Sequence, residues 1–278
     1  MRWRGFALAE LLVALLISGI IGIALTKLVI NQSRFVSTQD GIMRARSGAR
    51  AALNVLASEV RMVSDSGLRS ASSDSIVIRV PYAFGIACIW GLGYTAIAPF
   101  PSDSASVAIA APSGVAWRDS VGSWHFIEPA TVITGIPTTF CNAVGIHVMN
   151  STKWTATSWA VSGTTSTAPS QFAPVYLYQT ITYAFGPSVD MPGRRALWRA
   201  VPSAGLREEM VTPFDSSAKF MFIVGNAQAV QASPPAVLDS VVGVRVRLVA
   251  ASDNAPGGRT APMIFNLSTN LLFRNRVY

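Results

Sequence analysis

The sequence predicts an α+β protein: one long N-terminal helix, apolar first and amphipathic after, packed on an antiparallel β-sheet head. Three features carry that expectation. An apolar run opens the chain, and Glu10 is the only ionisable side chain between Leu8 and Thr26. No proline precedes Pro81, so nothing before it breaks a helix by removing an amide donor. Beyond Ser70, short β-branched runs alternate with stretches rich in Gly, Ser, Thr and Pro, the pattern of strands and turns.

With 278 residues the chain is long enough for one large domain or two small ones. Charged residues make up only 13%, against a typical ~25%, and half of all residues are hydrophobic. The formal charge is +8, yet no run of five or six Lys or Arg occurs. That thin spread describes a mildly basic surface, so no nucleic-acid partner is expected by default.

Residues 6–27 read as a transmembrane helix segment. Phe6 to Thr26 is about 21 residues, or roughly 31 Å of helix, which matches a bilayer core. Arg2 and Arg4 precede it, so the positive-inside rule puts the N-terminus in the cytoplasm and everything after Lys27 outside. The apolar stretch exceeds the ~7–15 residues of a secretory signal, and no A-x-A-type cleavage site follows it. A carboxylate in such a span costs roughly 2.5–3.5 kcal/mol at the helix centre and less near an end. Glu10 therefore asks for a partner charge, which a plain anchor does not need.

From Leu28 the pattern turns amphipathic. Ile42, Ala45, Ala49, Leu53, Leu56, Val60 and Val63 recur at steps of three and four, one face of a helix. Residues 28–68 are thus expected to continue the helix to about 60 residues, near 90 Å, with Ser64–Ser66 and Gly67 as its end. Gly41 and Gly48 weaken it locally. Gly19 and Gly22, in the membrane half, suit close helix packing or local melting, or are ordinary glycines of a membrane helix.

The run Gly5-Phe6-Ala7-Leu8-Ala9-Glu10-Leu11-Leu12-Val13-Ala14-Leu15 resembles the class III signal of type IV pilins and type II secretion pseudopilins. That pattern joins a short basic leader, a Gly-Phe junction, an apolar helix and a Glu five residues past the cut. The resemblance implies a type IV pilin fold, with residues 1–5 removed by a prepilin peptidase between Gly5 and Phe6. It also implies N-methylation of Phe6, and a Glu10 carboxylate that meets the terminal amine of a neighbouring subunit during assembly. Within the family the chain is most similar to PilW-like minor pilins. Leu56-Ala57-Ser58-Glu59-Val60-Arg61 looks like their L-x-x-E-[LV]-R segment. Ala196-Leu197-Trp198-Arg199, then Arg207-Glu208-Glu209-Met210-Val211, looks like an L-[YW]-R … E-x-[LM]-V pattern. Asn266-Leu267 … Phe273-Arg274-Asn275-Arg276 is similar to their C-terminal strand.

The head is expected over residues 69–278, extracytoplasmic and rich in strands. Ser75–Val80, Tyr176–Phe185, Ala196–Ala200, Phe220–Val224 and Val241–Val249 are β-branched and partly alternating, as strands of an antiparallel sheet require. Residues 82–173 read as an insertion or subdomain, with Trp90, Trp117, Trp124, Trp154 and Trp159 as its small core rather than a ligand platform. Ser151–Ser170 is of low complexity and reads as a mobile loop.

Cys88 and Cys141 are the only cysteines. On the extracytoplasmic side one disulfide is the default, and two free thiols are the alternative. No enzyme is expected. His125 and His147 fall in no metal-ligand spacing, and no nucleophile elbow or phosphate-binding loop is present. Asp253–Gly258 lacks the alternating oxygens of a calcium loop and reads as a turn between strands. No catalytic residue, cofactor or metal site is therefore assigned.

The resemblance implies a PilW-like minor pilin that joins a priming or tip complex of a type IV pilus. Its partners would be other minor and major pilins, the prepilin peptidase, the inner-membrane assembly platform and the lipid bilayer. Its location would be the inner membrane, single-pass, and the pilus after assembly. The alternatives are a J-type pseudopilin of a type II secretion system and a pilus-tip adhesin or DNA-uptake subunit.

Overall fold

The computed structural model describes residues 8–91, 94–100, 102–103, 112–136, 139–147, 158–162, 169–252, 255 and 260–274. One helix, α1 (Leu8–Arg61, 54 residues), leads into a large antiparallel sheet, so the α+β class holds. The strands are β1 (Leu68–Ala71), β2 (Ser75–Gly91), β3 (Tyr94–Pro99), β4 (Gly114–Arg118), β5 (Trp124–Ile127), β6 (Thr131–Ile136), β7 (Ser158–Ser162), β8 (Pro174–Pro187), β9 (Arg195–Val201), β10 (Leu206–Phe214), β11 (Lys219–Val224), β12 (Ala229–Gln231), β13 (Val241–Ala251) and β14 (Ile264–Leu272). A single turn of helix, α2 (Thr139–Asn142), follows β6.

The main path of the sheet runs β12-β11-β13-β10-β9-β8-β2-β3-β7-β6, with β14 on β13, β1 on β2, and the β4–β5 hairpin on β8. Its long central pair is β2 with β8, running from Ser75 opposite Ala184 to Ile86 opposite Pro174 with a register shift between Pro81 and Ala83. The five runs expected as strands are all strands, and β2, β8, β9, β11 and β13 extend beyond them. β2 does not stop at Val80 but continues to Gly91. The described strands of residues 82–173 accordingly prolong the same sheet. β3, β7 and β6 add to it past β2, while β4 and β5 fold over β8.

α1 buries Ala45, Ala49, Ala52, Leu56 and Val60, a strip at helical spacing, against β2, β10, β13 and β14. Ala52 is fully buried where the pattern favoured Leu53, which is half-buried beside it. The small residues let the helix lie close to the sheet. A Cβ on Gly48 would come 3.1 Å from Val211 Cγ1, and one on Gly41 would come 3.0 Å from Ser252 Cβ. These glycines weaken the isolated helix and bring it into contact with the head. Phe185 anchors the middle of this core, with ring centroids 5.7 Å from Phe214 and 5.1 Å from Phe220.

The helix ends at Arg61, seven residues before the end expected at 68. The reason is local: Val63 is itself fully buried in the main core, so the chain must turn inward there. The last amides close tight turns, Met62 N to Glu59 O and Val63 N to Val60 O, and Ser66 adopts a positive φ of 56°. The Arg274 amide, just past β14, donates to the Arg61 carbonyl at 3.0 Å and satisfies a group that the helix end leaves open. Gly41 beside Ser252, Arg46 over Phe265 at 5.2 Å and Arg61 beside Arg274 show that α1 runs along β14 in the same direction.

A second apolar cluster lies on the other half of the sheet, where Ala83, Val115, Trp117, Ile127, Val175 and Leu177 pack together. A third joins Cys88, Ala96, Ala98 and Cys141.

Candidate functional site

The first half of α1 has no cover. Every residue from Glu10 to Ser37 is exposed, including Leu11, Leu15, Ile20, Leu25, Phe35 and Val36. This helix is long and apolar enough to cross a membrane. Its polar exceptions are partly absorbed by its own backbone: the Thr26 hydroxyl donates to the Gly22 carbonyl at 2.8 Å. Glu10 stands in the first described turns, on the exposed apolar cylinder. Gly5 and Phe6 lie outside the described residues.

The second half of α1 is fixed to the head by an ionic joint. Glu59, in the last turn of the helix, faces Arg199 of β9 and Tyr183 of β8. Arg199 donates from its terminal nitrogen to Glu59 Oε1 at 2.7 Å and from Nε at 3.2 Å, and the Tyr183 hydroxyl donates to Oε2 at 2.6 Å. Both charged side chains are more than four-fifths buried, at 18% and 15% exposure. Burial acts against the Arg199 charge, but the hydrogen bond and charge of Glu59 outweigh it and hold the guanidinium above its ordinary value. Tyr183 is driven far up by burial first and then by the carboxylate, which keeps it a neutral donor. Glu59 and Arg199 belong to two sequence segments singled out above, and the fold brings them together. Sequence alone did not pair them, because 140 residues separate them.

Cys88 and Cys141 are disulfide-bonded and fully buried, joining α2 to β2 across a separation of 53 residues. His125 belongs to the β4–β5 hairpin. Its Nε2 lies 2.8 Å from Asp119 Oδ2 and its ring stacks on Trp117 at 5.4 Å, so it braces the turn between the two strands. That hydrogen bond, with the amides of Ser123 and Val121, holds the Asp119 carboxyl below the usual range. His147 is exposed. Of Asp253–Gly258 only Ala255 is described, and of Ser151–Ser170 only 158–162 and 169–170; Trp154 lies outside the described residues. Among the described residues no three of His, Cys, Asp and Glu gather closely enough to hold a metal ion.

No family model, no curated protein and no solved structure matches this chain.

Proposed function

We propose that this chain is a PilW-like minor pilin, anchored in the inner membrane by the first half of α1 with its head outside, and built into a type IV pilus priming or tip complex. The observation that carries the reading is one continuous 54-residue helix used in two ways. Its first half is bare, apolar and interrupted by the Glu10 carboxylate, while its second half is packed and ionically joined to the head. A bare apolar cylinder of this length needs lipid or other helices around it. A carboxylate in that environment favours a state in which a neighbour brings a positive charge, since each ion then offsets the desolvation of the other. After cleavage at Gly5, the amine of Phe6 on an adjacent subunit has that charge.

The test is to express Glu10→Ala and Gly5→Leu in a host whose gene for this chain is deleted. Glu10→Ala should insert in the membrane normally yet fail to restore piliation, and Gly5→Leu should accumulate as the longer precursor. Full piliation by either variant overturns the reading. Loss of exoprotein secretion with pili intact on deletion transfers the chain to the secretion pseudopilins, which use the same assembly logic.

A further inference from the structure

A cavity of about 390 Å³ opens where the end of α1, β2, β4, β5, β8 and the residue after β14 converge. Its size suits a small organic molecule, within the ~300–1,000 Å³ of ordinary ligand sites. One wall is a continuous aromatic surface. Trp124 lies 6.2 Å from Phe126 in near-parallel stacking and 5.2 Å from Tyr176, and Phe126 meets Tyr178 edge-on at 5.8 Å. Burial pushes the Tyr178 hydroxyl up to about 12, so this wall has no charge of its own at neutral pH.

Three guanidinium groups complete the lining: Arg79, Arg118 and Arg274. Arg79 lies 4.2 Å over the Phe126 ring, and its terminal nitrogens reach the Ser66 carbonyl at 2.9 Å and Glu128 Oε2 at 3.5 Å. Glu128 is also held by Arg69 at 2.8 Å, so that acid is shared between two cations. Among the described residues, neither Arg118 nor Arg274 has an acidic side chain within ion-pair distance; Arg118 Nε donates to the Gly122 carbonyl at 2.7 Å. Arg79 Nε and Trp124 Nε1 are closed off from the cavity and meet no acceptor among the described residues.

We infer that this cavity binds a small planar organic anion, its flat apolar body against Trp124, Phe126 and Tyr176 and its oxyanion on the Arg118 and Arg274 guanidinium groups. Flat apolar bodies pack well on aromatic walls, and guanidinium groups hold carboxylate and phosphate oxygens equally through their paired donors. The enclosure excludes water from one side, which strengthens both contacts.

The test uses the full chain in phosphatidylcholine nanodiscs, titrated calorimetrically against empty discs with 2-naphthoate, 2-naphthyl phosphate and neutral 2-naphthamide. At least one anion should bind saturably, and the amide at least tenfold more weakly; the tighter anion identifies the oxyanion as carboxylate or phosphate. Arg274→Gln should weaken the anion about tenfold and leave amide binding unchanged. Arg118→Gln should weaken it similarly and leave amide binding unchanged. Failure of both anions to bind, equal binding of the amide, or anion binding unaffected by both substitutions would overturn the inference. None of these readouts depends on pilus assembly.

Discussion

Arg199 holds the carboxylate of Glu59 in a site that water barely reaches. Removing one partner of a buried pair leaves the other charge without compensation, at a cost on the order of 3 kcal/mol. Arg199→Met should therefore destabilise the fold by about that amount, and Arg199→Met with Glu59→Gln together by clearly less than the two singly, measured by chemical denaturation of the full chain in detergent. Additive effects would mean that the pair is not coupled. Asp215, in the turn after β10, accepts from the Ser217 hydroxyl at 2.6 Å and the Ser217 amide at 2.9 Å. These bonds hold its carboxyl below the usual range. Because the folded-state value is depressed, the stabilisation is fully present above the ordinary aspartate value near ~3.9 and disappears as pH falls through the folded value. The melting temperature of Asp215→Asn should lie below that of the wild type at neutral pH, with the gap closing below about pH 4. Residue types such as these are legible in the sequence. Their partnerships are not, since Glu59 meets Arg199 only after the sheet has placed β9 beneath the helix.

At the scale of elements, legibility followed burial. The buried strip of α1 announced itself through apolar spacing, and β2, β8, β9, β11 and β13 through β-branched runs that pack inward. β10 did not read as a strand: its first three residues, Leu206, Arg207 and Glu208, are exposed, and it is defined by its ladder to β9 rather than by apolar content. Ser64–Gly67 has the composition of a helix terminus, whereas the burial of Val63 ends the helix earlier, at Arg61. The cavity was hidden for a related reason, as its lining comes from six separate segments. Close approach at Gly48 leads to a further expectation. Gly48→Leu would drive a side chain into Val211 and should cost about 1–3 kcal/mol despite the better helix former, read as loss of amide-exchange protection in β10 and the adjacent turn of α1. Leu56→Ala, which removes a fully buried side chain, should cost about 2–5 kcal/mol.

Across the whole molecule, stability is divided unevenly. The large core joins α1 to β2, β8, β11, β13 and β14, while the smaller clusters around Trp117 and around Cys88 hold the far half of the sheet. Closing a loop of 53 residues stabilises by roughly 4 kcal/mol in the chain-entropy account. Reduction of the buried Cys88–Cys141 bond should therefore raise amide exchange in β3, α2 and the end of β2, while α1, β13 and β14 keep their protection. Uniform loosening of the entire head would show that the two halves unfold together.

The alignment of α1 with the last strand has a mechanical consequence. A pull on the exposed apolar end of the helix is directed along β14, and the bond from Arg274 to Arg61 ties the two at their far ends. β14 is paired to β13 at nine residue positions, all lying along that pull. The load is thus borne in shear by many bonds at once instead of being peeled from them singly. The chain's final strand acts as a strap under tension.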